Sequence, residues 1–221
     1  MKVQYFGDVN DYRKFALLRL LAGAGGFKIG VCWMLTEDDA TGHGVKREYL
    51  KRPETWRDYE PAIFDALSNV PESPALNDLR RIEAEGLIPN AKFNEVLVPD
   101  LRPERSEWPS DSVKTFEGVE LAFFDPDNGL EIAARPRGRK HSNKYAFVDE
   151  LTDHYRAGQS ILVYQHYPRN RPRAEVTAVA CDRLVMAMPN ATTISLKTPF
   201  AAFILALRPE HRARVSRGLS R

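Results

Sequence analysis

Three short runs constrain this chain more than anything else in it: PheLysIleGlyValCysTrpMetLeu (27–35), ValGluLeuAlaPhePhe (119–124) and SerIleLeuValTyrGln (160–165). Each is largely apolar and too short for a core helix. Each therefore predicts a strand covered on both faces, the habit of a parallel sheet flanked by helices. Helical patterns fill the intervals. Tyr12, Phe15, Leu18 and Leu21/Ala22 recur at helical spacing over 10–22, with Asn10 or Asp11 available as N-cap and Gly23 to Gly26 as a stop. Further helices are predicted at 60–69, 75–86, 145–155 (stopped by Gly158) and 174–187. Strands are predicted at 92–98, 191–197 and 200–207, the last two as a hairpin at the sheet edge. Residues 99–118 read as an exposed connection carrying Trp108.

Strand and helix thus alternate, which favours an α/β sandwich with a mostly parallel sheet. At 221 residues the chain suits a single α/β domain over 1–221, with 45–90 as the one stretch that could be a helical insertion. In such sheets ligands bind beyond the carboxyl ends of the strands. Each of the three runs is followed by a polar cluster: Asp38, Asp39, Gly42, His43 and Gly44; then Asp125, Asp127 and Asn128; then Gln165, His166 and Arg169. A parallel sheet would set all three along one edge. Polar turns, Asn-Gly pairs and helix-capping aspartates account for any one cluster without function. Their conjunction argues for a site. His43, between two glycines, is either a ligand or base on an exposed loop or a surface residue; His166 is expected to be partly buried and hydrogen-bonded for structural reasons. Trp33, Trp56 and Trp108 are expected in or over the core.

The net charge of +2 and pI near 8.5 do not demand a polyanionic partner. Basic residues nonetheless gather at 135–144 and 169–173, where phosphates of a nucleic acid could bind. Cys32 and Cys181 lie in apolar surroundings without a CxxC pairing, which fits buried thiols in a reducing compartment. The first residues lack the apolar core of a signal peptide, and no run approaches the roughly 18 apolar residues of a membrane span. The expectation is a cytoplasmic protein with no membrane partner.

In order and nearly in spacing, several motifs resemble the large-subunit ribosomal RNA adenine-N6 methyltransferases of the RlmJ kind. Gly7, Asp11 and Lys14 match that family's Gly-x-x-x-Asp-x-x-Lys segment. Asp38, Gly42 and Gly44 match its Asp-x-x-x-Gly-x-Gly loop, and Asp125-Pro126 match the start of its Asp-Pro-Pro-Tyr motif. Tyr164 to Pro168 sits where the family has a strand followed by a Tyr-Pro pair. The resemblance touches most of the chain outside 45–118. It implies a Rossmann-like, methyltransferase-type three-layer sandwich that binds S-adenosylmethionine. Gly7, Asp11, Lys14, Asp38, Gly42, His43 and Gly44 would then be cofactor residues, with Lys14 and the 42–44 loop near the methionine end. Asp125 and Pro126, with Asp127 and Asn128 beside them, would be catalytic, accepting hydrogen bonds from a target amino group so that its lone pair faces the methyl donor. Lys144, Tyr145, Gln165, His166 and Arg169 would bind substrate. Asp127 and Asn128 stand where the family has its second proline and its base-stacking aromatic residue, so Tyr145 or Tyr167 would have to supply the ring. Glu95 and Asp100 are the candidates for an acidic ribose contact.

The residues also allow a different chemistry. Asp125, Asp127 and Glu131 with Lys140, or Asp38, Asp39 and His43, offer hard ligands and a basic group to Mg²⁺ or Mn²⁺ and a phosphate, as in a metal-dependent nuclease or phosphoesterase. The methyltransferase resemblance implies no metal ligands. A third reading is a non-catalytic relic of the fold that binds a nucleotide or a partner.

Overall fold

A computed structural model describes residues 1–38, 46–101 and 103–219. Helix α1 (Val9–Gly23) opens the fold. Its cap is Asp8, not Asn10 or Asp11: the Asp8 carboxylate accepts the N–H groups of Asn10 at 2.7 Å and Asp11 at 3.0 Å. There follow β1 (Ile29–Cys32), α2 (Pro53–Trp56), α3 (Pro61–Ser68), α4 (Leu76–Ala84), β2 (Lys92–Asn94) and α5 (Glu104–Thr115). Next come β3 (Leu121–Phe124), β4 (Gly129–Leu130), β5 (Tyr145–Ala146), α6 (Val148–Arg156) and β6 (Ser160–His166). The chain continues through α7 (Arg173–Ala187), β7 (Thr192–Lys197), β8 (Ala201–Leu207) and α8 (Arg212–Leu219).

Six strands form one mixed sheet in the order β2-β1-β3-β6-β8-β7. β2, β1, β3 and β6 are mutually parallel, and β8 runs antiparallel to both β6 and β7. β7 therefore points the same way as the parallel set, with one reversed strand between. The architecture is α/β and mostly parallel, compatible with a Rossmann-like arrangement.

Side-chain alternation along the strands divides the core in two. Leu121 and Phe123 join an apolar cluster with Phe15 and Leu18 of α1, Ile63 of α3, Leu79 of α4 and Val215 of α8. Ala122 and Phe124 join the opposite cluster with Trp108 of α5, Leu151 of α6 and Val176 and Leu184 of α7. Helices thus cover both faces, which is why β1 and β3 are buried at every position and β6 at all but its last.

Two further expectations fail. Residues 104–115 are a helix rather than an exposed connection, and Trp108 is buried. Its inward stripe is Arg105, Trp108 and Ser112, a helical spacing concealed by two polar members and by Pro109. The predicted start of the next helix at 145 is also displaced, because Tyr145 and Ala146 pair with Gly129 and Leu130 as a separate two-stranded ribbon.

Candidate functional site

A cleft of about 470 Å³ opens where β3 and β6 end against the first turn of α1. The parallel pairing that aligns β1, β3 and β6 brings the segments after them to one edge. The floor is acidic. Lys14 Nζ donates to Asp11 Oδ1 at 2.7 Å and to Asp125 Oδ2 at 2.5 Å, and sits 5.4 Å from the centroid of the Tyr164 ring. Asp11, Lys14 and Asp125 are all buried. Asp11 Oδ2 accepts the N–H of Gly7 at 2.9 Å. Gly7 has φ +91°, a left-handed conformation that suits glycine and aims that N–H back at the helix.

Asp127, the second carboxylate after β3, accepts the Thr36 hydroxyl at 2.9 Å and lies 3.0 Å from the Met1 ammonium. That ammonium also donates to the carbonyls of Met34 at 2.7 Å and Asp125 at 2.9 Å. With Asp8, four carboxylates meet two ammonium groups at the floor.

The titration of these groups follows from burial and pairing. Burial works against the Lys14 ammonium, but Asp11 and Asp125 outweigh it and hold its pKa above the lysine value. Burial raises Asp125 despite Lys14. Burial also acts upward on Asp127, yet the Met1 ammonium and the Thr36 hydroxyl bring it below the usual carboxylate range. Burial, then the neighbouring Asp11, pushes Asp8 up to about 6. Asp8 thereby becomes a carboxylate that can exchange a proton near neutral pH.

The turn bearing Asp125 to Asn128 is held from behind. Gln165 Oε1 accepts the N–H of Leu130 at 3.0 Å, and its Nε2 donates to the carbonyls of Asn128 at 3.2 Å and His166 at 3.0 Å. Gly129 has φ +104°, and a Cβ there would come within 2.4 Å of the Gln165 amide. Gln165 thus spends both ends of its amide on the backbone and positions the turn.

Of the residues singled out in the sequence, the cleft gathers Asp11, Lys14, Asp125, Pro126, Asp127, Asn128, Lys144, His166 and Arg169. His166 stands at the mouth, partly desolvated yet exposed to the cleft. Asp38 is exposed and accepts the N–H of Gln4 at 3.1 Å. Asp39, Gly42, His43 and Gly44 lie outside the described residues. Tyr145 is off the cleft lining, its carbonyl accepting from Arg105 at 3.2 Å. Tyr167 is buried, with its hydroxyl 3.1 Å from that of Thr177. The rings that do line the cleft are Tyr5, Tyr164 and Phe200.

Glu95 pairs with Arg80 at 2.7 Å on the surface, and Asp100 accepts the N–H groups of His141 at 2.7 Å and Asn143 at 2.8 Å; neither lines the cleft. Glu131 accepts the Val148 N–H at 3.0 Å and pairs with Arg183, away from Asp125. Among the described residues, no three His, Cys, Asp or Glu side chains converge as a metal site. Nor is any helix among them long and apolar enough to cross a membrane.

Asp8, Lys46 and Phe200 are additions to the set read from sequence. Asp8 was legible in principle, being three residues before Asp11 across the first helical turn. Lys46 and Phe200 reach the cleft only through the fold. Comparison of the chain with family models, with curated proteins and with solved structures finds no match.

Proposed function

We propose that this chain is an S-adenosylmethionine-dependent methyltransferase, of the RlmJ kind that its motifs resemble, acting on an amino group of a nucleic-acid substrate. The observation that carries the reading is Asp125-Pro126 at the floor of a cleft beyond the parallel strands, with Asp125 fixed by Lys14. A sheet with one reversed strand beside its parallel edge agrees with the methyltransferase-type sandwich.

The residues fit the cofactor. The cleft volume falls within the roughly 300–1,000 Å³ of small-molecule sites. Its lining carries both signs, with Asp8 for an ammonium or hydroxyl and Lys144 for a carboxylate. When bound, S-adenosylmethionine supplies a methyl group already activated on a sulfonium. The protein's task is then to orient the nucleophile. Asp125 and the Pro126 carbonyl accept the hydrogens of the target amino group and direct its lone pair. Lys14, already held by Asp11 and Asp125, acts as a positioning residue for Asp125, in place of the carboxylate-binding role that the resemblance implies. Asp8, with its raised pKa, is suited to receive the proton released as the amine becomes alkylated.

The hydrolytic alternative draws less support. Lys14 occupies Asp11 and Asp125, the Met1 ammonium and Thr36 occupy Asp127, and Glu131 faces Arg183.

Calorimetry with S-adenosylmethionine and S-adenosylhomocysteine, followed by transfer of a labelled methyl group to RNA and DNA pools, tests the reading. Asp125→Asn should retain cofactor heat while transfer falls by about 10² or more. Absence of heat with either ligand, together with Mg²⁺- or Mn²⁺-dependent cleavage of the same pools, would overturn it.

A further inference from the structure

We infer that Lys46, His166 and Arg169 form a seat for a phosphate group at the cleft mouth, by which a nucleotide-bearing substrate is gripped. The part played by a base facing Asp125 rests on the methyltransferase reading; the seat rests on the charge arrangement alone.

The three side chains come from separate places in the sequence and line the same cleft, with Lys46 and Arg169 near enough to act on the His166 ring. Lys46 is anchored where its carbonyl accepts the Val9 N–H at 3.1 Å, at the start of α1. His166 ends β6 opposite Ala201 of β8, and the next N–H, that of Tyr167, donates to the Phe200 carbonyl at 3.1 Å. The Lys46 ammonium lies 3.4 Å from the centroid of the Phe200 ring. Arg169 follows three residues after His166, in the exposed segment beyond the strand.

The charged groups that act on His166 are Lys46 and Arg169, both cations. Desolvation first, then these two like charges, holds the imidazole below its ordinary value. Within the basic segments, Arg137 pairs with Asp149 and Arg171 with Glu175. The basic segments seen in the sequence are therefore partly self-paired, whereas this trio is held together by the fold without a carboxylate of its own among the described residues. Grouped cations of this kind are relieved by an anion, which would also raise the pKa of the histidine between them. A phosphate suits them because its several acceptor oxygens and near-double charge can satisfy donors converging from three directions.

The test follows the His166 ring by NMR, without a methyl donor, during titration with inorganic phosphate, adenosine 5′-monophosphate and adenosine. Phosphate and the monophosphate should bind saturably and raise the His166 pKa, while adenosine should leave it unmoved. Arg169→Ala and Lys46→Ala should each weaken phosphate binding by about tenfold, with circular dichroism unchanged, as expected for exposed side chains. The seat is overturned if neither phosphate ligand moves His166, or if the response survives the double substitution. Displacement of phosphate by S-adenosylmethionine would also overturn it, by making the trio a cofactor-carboxylate site. Failure of methyl transfer leaves the phosphate result standing, so the two readings fail separately.

Discussion

Two buried polar networks flank the same strand and are built on opposite principles. At the cleft floor, four carboxylates share two ammonium groups beside open space. On the other face, the link between α5 and α6 is buried and charge-balanced. Arg105 donates to both oxygens of Glu150, at 2.9 and 2.7 Å, while His154 joins Ser112 at 3.0 Å and Gln159 at 2.7 Å. The His154 ring also packs 4.8 Å from Phe124, the residue before Asp125. A balanced network ties helices together. The one at the cleft holds more carboxylates than cations and leaves Asp8 at the open side.

The largest predicted effects separate the two by whether the stranded charge can neutralise itself. Glu150→Gln leaves the fully buried Arg105 guanidinium unpaired, and Lys14→Met leaves Asp11 and Asp125 unpaired. Each should cost about 3–5 kcal/mol near neutral pH. Without Lys14, the folded pKa of Asp125, already raised by burial, should rise further above its unfolded value. Protonation then favours the folded state, and the deficit should shrink between pH 8 and pH 5. An arginine has no such escape, because it does not deprotonate in this range. Urea midpoints for both variants across that range check this; equal pH dependence would erase the distinction.

Next in size is the pH response of the charge-balanced network. Burial lowers the pKa of His154 from 6.5 to about 4, so the unfolded chain takes up this proton before the folded one does. The corresponding stability is present above pH 6.5, declines as pH falls and is gone below about 4, a loss of roughly 3 kcal/mol. His154→Gln should flatten that part of the stability–pH curve, read from thermal midpoints at fixed ionic strength.

The strands were legible because an apolar run too short for a helix has few other uses, and the clusters after β3 and β6 were legible because parallel pairing sends such runs to one edge. Helix α5 was hidden by the chemistry that gives it its role: a stripe of Arg105, Trp108 and Ser112 looks polar until Glu150 and His154 supply the partners. The floor was half legible. Asp11, Lys14 and Asp125 could be named, but that Lys14 bridges Asp11 to Asp125, 111 residues further along the chain, is a tertiary fact. Tyr167 illustrates the converse, an aromatic residue in a suitable sequence position whose hydroxyl the core had already claimed.

Smaller in stability, Gly129→Ala strains the Asp125 turn through its positive φ and the Gln165 amide. It should cost about 1–3 kcal/mol and lower methyl transfer by moving Asp125-Pro126.

Smallest in stability is Asn128→Ala. The backbone of Asn128 is committed, its N–H donating to the Lys144 carbonyl at 3.0 Å and its carbonyl accepting from Gln165, and alanine keeps both bonds. Its half-buried side chain lines the cleft where the resembling family has an aromatic residue. Stability should therefore change by no more than about 0.5 kcal/mol. If the amide contacts the substrate, KM for the methyl acceptor should rise while cofactor binding stays as it was. Unchanged KM would remove Asn128 from the substrate side of the cleft and leave the ring of Phe200 as the nearer recognition element to test.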